Sequence, residues 1–251
     1  MIPIKSAKEI EKMRIAGRLA AEVLARTARL VRPGISTGEV DAAAADFMAE
    51  LGCTSAFYQY RGFPGYICIS LNEEVVHGIG GSRRLRFGDI VKLDIGIVKD
   101  GWVGDNATTV AVGPVNPEVQ RLMNVTEASL HAAIAEAFDG GRLGNIGAAV
   151  EEKVLENGFS VVREFVGHGV GRRLHEEPQV PNFGRRGSGP RLKAGMTLAI
   201  EPMVNAGSGG VRILEDGWTV ITRDQKLSAH YEHTVLVTRD GPEILTRCDA
   251  E

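Results

Sequence analysis

Three acidic residues stand inside stretches that otherwise read as buried strand: Asp94 in IVKLDIGIV, Glu201 in MTLAIEPMV and Glu232 at the head of EHTVLV. An ionised carboxylate in an apolar strand is costly unless it is paired or holds a metal. One such residue alone reads as a structural ion pair or a protonated donor. Three of them, with Asp105 following Gly104 and His168 between Gly167 and Gly169, and with no matching set of Lys or Arg in those strands, point instead to a metal site.

The ligand types select the chemistry. Four carboxylates and one imidazole form a hard, oxygen-rich set, unlike the Cys- and His-rich set of a structural zinc site. Four negative charges exceed what one dication balances, whereas two ions suffice. Two ions about 3.5–4 Å apart, bridged by carboxylates and a shared hydroxide, form a hydrolytic device. Co²⁺, Mn²⁺, Fe²⁺ or Zn²⁺ are the candidates, and the sequence does not choose among them. Pro202 biases Glu201 to an extended backbone. Gly167 and Gly169 are expected to leave room for an ion to approach the chain beside His168. Gly101, Gly104 and the acidic Asp100 surround the turn joining Asp94 to Asp105, which lets the two aspartates lie on adjacent antiparallel strands.

These residues need elements to carry them. Ser6 and Glu9, followed by Ile10, Met13, Ile15, Leu19, Val23 and Leu24, predict a capped amphipathic helix ended by Arg32-Pro33-Gly34. A second helix is expected to be capped by Thr37, with Val40, Ala44, Phe47, Met48 and Leu51 on one face, and to stop at Gly52. Short alternating runs then predict strands at 66–71, 89–98 and 108–113. Helices follow near 117–138 and 145–157, and the segments around FVGHGVG, MTLAIEPMV, GWTVIT and YEHTVLVT return to strand and loop. The order helix, helix, strands occurs twice. It implies an α+β chain of one catalytic domain, 1–251, with two similar halves at about 1–113 and 114–251.

Composition bounds the rest. The 251 residues carry a formal net charge of −3, which excludes a general attraction to DNA. Arg83-Arg84, Arg172-Arg173 and Arg185-Arg186 read first as solvated loop charge, and second as local contacts for an acidic partner such as ribosomal RNA. Cys53, Cys68 and Cys248 have no disulfide-like spacing, which favours a reducing cytoplasm. No apolar run reaches the roughly 20 residues a membrane span requires, and the N-terminal segment lacks a signal core.

The strings LDIG-x7-GD (93–105), GHGVG (167–171), HEEP (175–178), IEPM (200–203) and YEHT (231–234) resemble the type I methionine aminopeptidases in order and spacing, over nearly the whole chain. The resemblance implies the pita-bread fold, in which a curved antiparallel sheet is covered by helices in two pseudo-symmetric halves. It implies that Asp94 chelates one ion and His168 the other, that Asp105 and Glu232 bridge both, and that Glu201 binds the His168-side ion and shuttles a proton. His175 would hydrogen-bond the scissile carbonyl oxygen and His77 the substrate backbone. Tyr60, Phe63, Cys68 and Trp218 would line a methionine-sized pocket. Two positions depart from the family's usual pattern, Phe57 for a small residue and Leu174 for an aromatic, and both bear on the pocket rather than the metal site.

The activity so implied is removal of the initiator methionine from nascent chains when the second residue is small, by a cytoplasmic monomer with the ribosome as a further expected partner. The substrate's free α-amine, once neutral, would bind the Asp94-side ion, which restricts cleavage to the first bond. Met1 precedes bulky Ile2, so the chain is expected to keep its own methionine. X-Pro peptidases of the same superfamily share the five ligands but usually carry a large additional N-terminal domain. A non-catalytic binding protein on the same fold would be expected to lose ligands. Among the remaining histidines, His131 is expected on a helix surface and His233 on the strand face opposite Glu232, while His230 reads equally as surface or channel rim. The GIGGS segment (78–82) lacks the Lys-Ser/Thr of a P-loop and reads as a plain loop.

Overall fold

The computed structural model describes residues 2–247; Met1 and Cys248 lie outside the described residues. Four α-helices are formed among the described residues, α1 (Ala7–Ala28), α2 (Thr37–Glu50), α3 (Pro117–Ala135) and α4 (Leu143–Glu156). Ser6 precedes α1, and its N–H and hydroxyl both donate to the Glu9 carboxylate. Helix α2 is capped by Ser36 rather than Thr37. The Ser36 hydroxyl accepts the Glu39 N–H at 3.2 Å, and the Glu39 carboxylate accepts the Ser36 N–H at 2.8 Å. Only this register places an acid three residues after the cap, which is what closes a capping box. The Thr37 hydroxyl accepts the Gly81 N–H at 2.9 Å instead.

The main sheet has nine strands: β1 (Thr54–Ser55), β2 (Cys68–Leu71), β3 (Ile90–Lys99), β4 (Trp102–Ala111), β5 (Gly167–Gly169), β6 (Glu176–Val180), β7 (Thr197–Ile200), β8 (Glu232–Val237) and β9 (Pro242–Ile244). Its order is β1-β3-β4-β8-β7-β5-β6, with β2 also on β3 and β9 also on β8, and every pairing is antiparallel. The β3–β4 hairpin runs in unbroken register from Ile90↔Ala111 to Lys99↔Trp102. Its two-residue turn, Asp100 (φ 50°) and Gly101 (φ 75°), has the left-handed backbone that matches strand twist. Strand β4 therefore starts at Trp102, six residues before the expected 108. Gly104, Asp105 and Asn106 have poor strand propensity, so only pairing with β3 reveals this half.

Glu201-Pro202 divides the expected MTLAIEPMV strand in two. Strand β7 ends at Ile200, and Met203–Asn205 joins a separate three-stranded sheet with Ser228–His230 and Ser160–Val161. Proline has no N–H for the ladder, so the chain changes sheets there. A third small sheet pairs Val220–Thr222 with Val211–Ile213 and Glu74–Val76.

Two large buried clusters fill the interior. One lies under α1 and α2 and includes Met13, Val23, Met48, Leu93, Ile95 and Ile97. The other lies under α3 and α4 and includes Leu122, Ile134, Ile146, Val150, Leu198 and Val235. The site residues lie on the sheet between them. No helix among the described residues is long and apolar enough to cross a membrane.

Candidate active site

Register brings the acidic residues together. Cys68 pairs with Asp94, Asp94 with Ala107, and Ala107 with Glu232, so these four form one row across β2, β3, β4 and β8. Directly paired residues project to the same face of a sheet. Asp105, two residues before Ala107, projects to that face as well. Ala107 stands between Asp94 and Glu232, and its methyl group leaves the space above it to their carboxylates. Strand β7 lies on the far side of β8, with Ile200 opposite His233, which sets Glu201 at its end beside Glu232. His168 pairs with Ala199 of the same strand.

The five residues expected as ligands thus line a single cavity of about 290 Å³. Ligand atoms of Asp105, His168 and Glu232 all lie within 4.8 Å of one another. His168 Nε2 is 3.7 Å from Asp105 Oδ2 and 3.5 Å from Glu201 Oε1. His168 Nδ1 lies 2.9 Å from the Gly169 carbonyl, which favours the tautomer that frees Nε2 as a ligand. Asp94 Oδ1, Asp105 Oδ1 and Glu232 Oε1 are buried without a hydrogen-bond partner. Among the described residues, no Lys or Arg pairs with any of the four carboxylates. Orphaned buried carboxylate oxygens converging on one imidazole fit a hard divalent cation.

The electrostatics agree. Burial drives Asp105, Glu201 and Glu232 far above the usual carboxylate range, and the charges of their acidic neighbours add to it. Burial raises Asp94 to about 7, against a hydrogen bond from Cys68 that lowers it. Burial holds the His168 imidazole neutral, with its pKa lowered to about 3. A cluster of this kind must take up either protons or a cation.

The other expected residues surround the same cavity. His175 is exposed at its mouth, its ring 4.2 Å from that of His168 between centroids, and its Nδ1 lies 2.9 Å from the Tyr60 hydroxyl. His77 has a left-handed backbone at φ 60°, a strained conformation for a residue with a side chain, and its ring meets Phe165 edge-on. Phe63 and Trp218 pack edge to face at 5.2 Å, and Cys68 is a buried thiol in the same wall. Phe57 and Leu174, the two departures, both line the cavity. A Cβ on Gly96 would sit 2.4 Å from Phe57 Cε1, so the Phe57 ring occupies the space that this glycine leaves.

One expectation is corrected. Gly167 and Gly169 do not open a path for an ion. A Cβ there would meet the Ala199 carbonyl at 2.3 Å and the Glu177 carbonyl at 2.2 Å, so the glycines let neighbouring strands close on His168. Sequence reasoning also missed three residues. Phe165 and Arg61 line the cavity without any spacing that marks them. His230, left undecided, is 1% exposed, and its Nε2 is 3.9 Å from Glu201 Oε2. His131 is exposed as expected. His233 faces away from Glu232, with Nδ1 2.9 Å from the Thr246 hydroxyl.

A hydrolytic metal centre set on this sheet is the architecture of a metallopeptidase, and the chain belongs to metallopeptidase family M24, which residues 11–239 match. Within that family it belongs with the methionine aminopeptidases. It is 50% identical to a methionine aminopeptidase of Clostridium perfringens over 246 residues, 98% of this chain and 99% of the other. The crystal structure of a Rickettsia prowazekii methionine aminopeptidase superposes with a TM-score of 0.97 at 42% identity, covering 98% of this chain and all of that one. The fold is thus the pita-bread fold that the resemblance implied. A prolidase of Pyrococcus furiosus shares the fold alone, with a TM-score of 0.78 at 23% identity, and this chain covers 66% of it.

Proposed function

We propose that this enzyme hydrolyses the first peptide bond of chains that begin with methionine and continue with a small residue. The observation that carries the reading is the cluster of four carboxylates around His168, Asp105 and Glu232 buried and Asp94 and Glu201 partly so, open to solvent through an apolar-walled cavity. Two divalent ions would balance its charge. Asp94, Asp105, His168, Glu201 and Glu232 would hold them. Such ions acidify water and polarise the scissile carbonyl.

The remaining chemistry belongs to side chains. Glu201 takes a proton from the attacking water and returns it to the leaving amine. The Tyr60 hydroxyl lies 2.9 Å from His175 Nδ1; with Tyr60 as the donor, the His175 proton sits on Nε2, which can hydrogen-bond the developing oxyanion. His77 aligns the substrate backbone, and the wall of Phe57, Phe63, Cys68, Leu174 and Trp218 receives the methionine side chain. A closely related side chain that differs by one methylene loses only about 1–3 kcal/mol in such a pocket.

The unit is one catalytic domain in two related halves, acting as a monomer. We place it in the cytoplasm at the emerging nascent chain, with ribosome association as the means of access; the unpaired Cys53 and Cys68 suit a reducing compartment.

The test compares Met-Ala-Ser with an X-Pro peptide, using protein loaded with Mn²⁺, Fe²⁺ or Co²⁺, before and after chelation. Methionine release from the first peptide, abolished by chelation, is expected. Faster cleavage of the X-Pro peptide would overturn the substrate, and activity unchanged by chelation would overturn the metal chemistry.

A further inference from the structure

The segments bearing Glu201 and Glu232 leave the main sheet side by side. After Glu201 the chain enters Met203–Asn205, and before Glu232 it leaves Ser228–His230, which pairs with it antiparallel. His230 is thereby set directly behind Glu201. Its position is pinned through its backbone. The His230 N–H donates to the Thr109 hydroxyl at 3.0 Å, and its carbonyl accepts from that hydroxyl at 2.7 Å.

The ring itself is unsatisfied. Among the described histidines, only His230 is fully buried with neither ring nitrogen hydrogen-bonded. A neutral imidazole always carries one N–H, and burying that donor without an acceptor is costly. Glu201 stands between two imidazoles, with Oε1 3.5 Å from His168 Nε2 and Oε2 3.9 Å from His230 Nε2. A movement of roughly 1 Å brings the second contact into hydrogen-bond range.

We infer that His230 is a positioning residue that donates a hydrogen bond to Glu201 Oε2 and thereby keeps Oε1 turned toward the His168 ligand cluster. The inference rests on the role given to Glu201 above. A second hydrogen bond of this kind fixes both the rotamer and the basicity of a ligating carboxylate.

Three variants test it. His230→Leu removes the donor at similar volume, His230→Gln keeps an N–H within reach, and His230→Asn keeps one that is too short. Each is assayed for kcat and KM on Met-Ala-Ser, for binding of Mn²⁺ alone by calorimetry, and for melting temperature. His230→Leu and His230→Asn are expected to lose about 10- to 100-fold in kcat, with KM changed less than about threefold and weaker Mn²⁺ binding at one site. His230→Gln is expected to restore both readouts to within about fivefold of the parent. If the Leu variant fails to fold, the contrast between Gln and Asn still decides. Wild-type kcat in the Asn variant would overturn the inference. So would a Gln variant as impaired as the Asn one, or a change in KM alone, which would place His230 against substrate. Glu201→Gln is measured in parallel. If it stays active, the role of Glu201 has failed; if it is inactive while the His230 variants behave as parent, only the His230 inference has.

Discussion

Lys5 Nζ lies 2.8 Å from Glu176 Oε2, and both side chains are more than nine-tenths buried. The other oxygen of Glu176 accepts the backbone N–H of Arg172 at 2.9 Å and of Arg173 at 3.2 Å. One ion pair therefore ties the N-terminal segment to the loop that ends in His175. Removing one partner of a buried pair strands the other charge and costs about 3–5 kcal/mol. Lys5→Met is expected to lower the melting temperature and to reduce kcat/KM through displacement of His175. Lys5→Met combined with Glu176→Gln should recover part of the stability. Thermal denaturation and steady-state kinetics check this; a Lys5→Met variant with the parent's stability would refute it.

His168→Ala removes the single nitrogen ligand of the proposed metal site. Most activity should be lost, and one of the two proposed ions should bind more weakly, while the fold survives because the ring faces a cavity. Metal content measured beside activity distinguishes this from unfolding. Unchanged metal content at full loss of activity would assign His168 a role other than ligation.

The metal-free protein has a predictable dependence on pH. Asp94 is raised from 3.8 to about 7 in the fold, and burial raises Asp105, Glu201 and Glu232 well above their ordinary values. The native state then binds more protons than the unfolded state, so this stabilisation is complete below the unfolded values and is lost as pH rises through the folded ones. Lys92, lowered by burial to about 7, acts in the opposite sense above that pH. Its contribution cancels when Mn²⁺-loaded and metal-free protein are compared at each pH. Since an ion must displace the protons on these carboxylates, the gain in melting temperature from saturating Mn²⁺ is expected to grow between about pH 6 and pH 8. A gain independent of pH would contradict the proton competition.

Phe57 and Gly96 form a pair in the pocket wall. Gly96→Ala drives its methyl group into the Phe57 ring, which must swing toward the cavity, at about 1–3 kcal/mol of overpacking and with a raised KM for methionine peptides. Gly96→Ala with Phe57→Ala should relieve the clash, and Phe57→Ala alone should admit bulkier first residues. Kinetics on peptides beginning with methionine and with larger apolar residues check the pair. Additive effects of the two substitutions would show that the residues do not act through each other.

What the chain revealed before folding was chemical misfit. Asp94, Glu201 and Glu232 are conspicuous because strand-like apolar residues surround them, and burial cost applies whatever the tertiary arrangement. Asp100-Gly101 likewise specified its turn locally, through the left-handed backbone both residues adopt. The start of β4 was not legible, because Gly104, Asp105 and Asn106 form strand only when β3 supplies the ladder. Neither was the role of Ala107, whose small size matters only once Asp94 and Glu232 flank it. Phe57 against Gly96, and His230 behind Glu201, are contacts between segments far apart in the chain. Side-chain type and local backbone preference are properties of a residue and its neighbours, so the sequence determined which groups had to find a cation. Which of them meet, and what stands behind them, depended on register and sheet-to-sheet crossings, which only the folded chain decides.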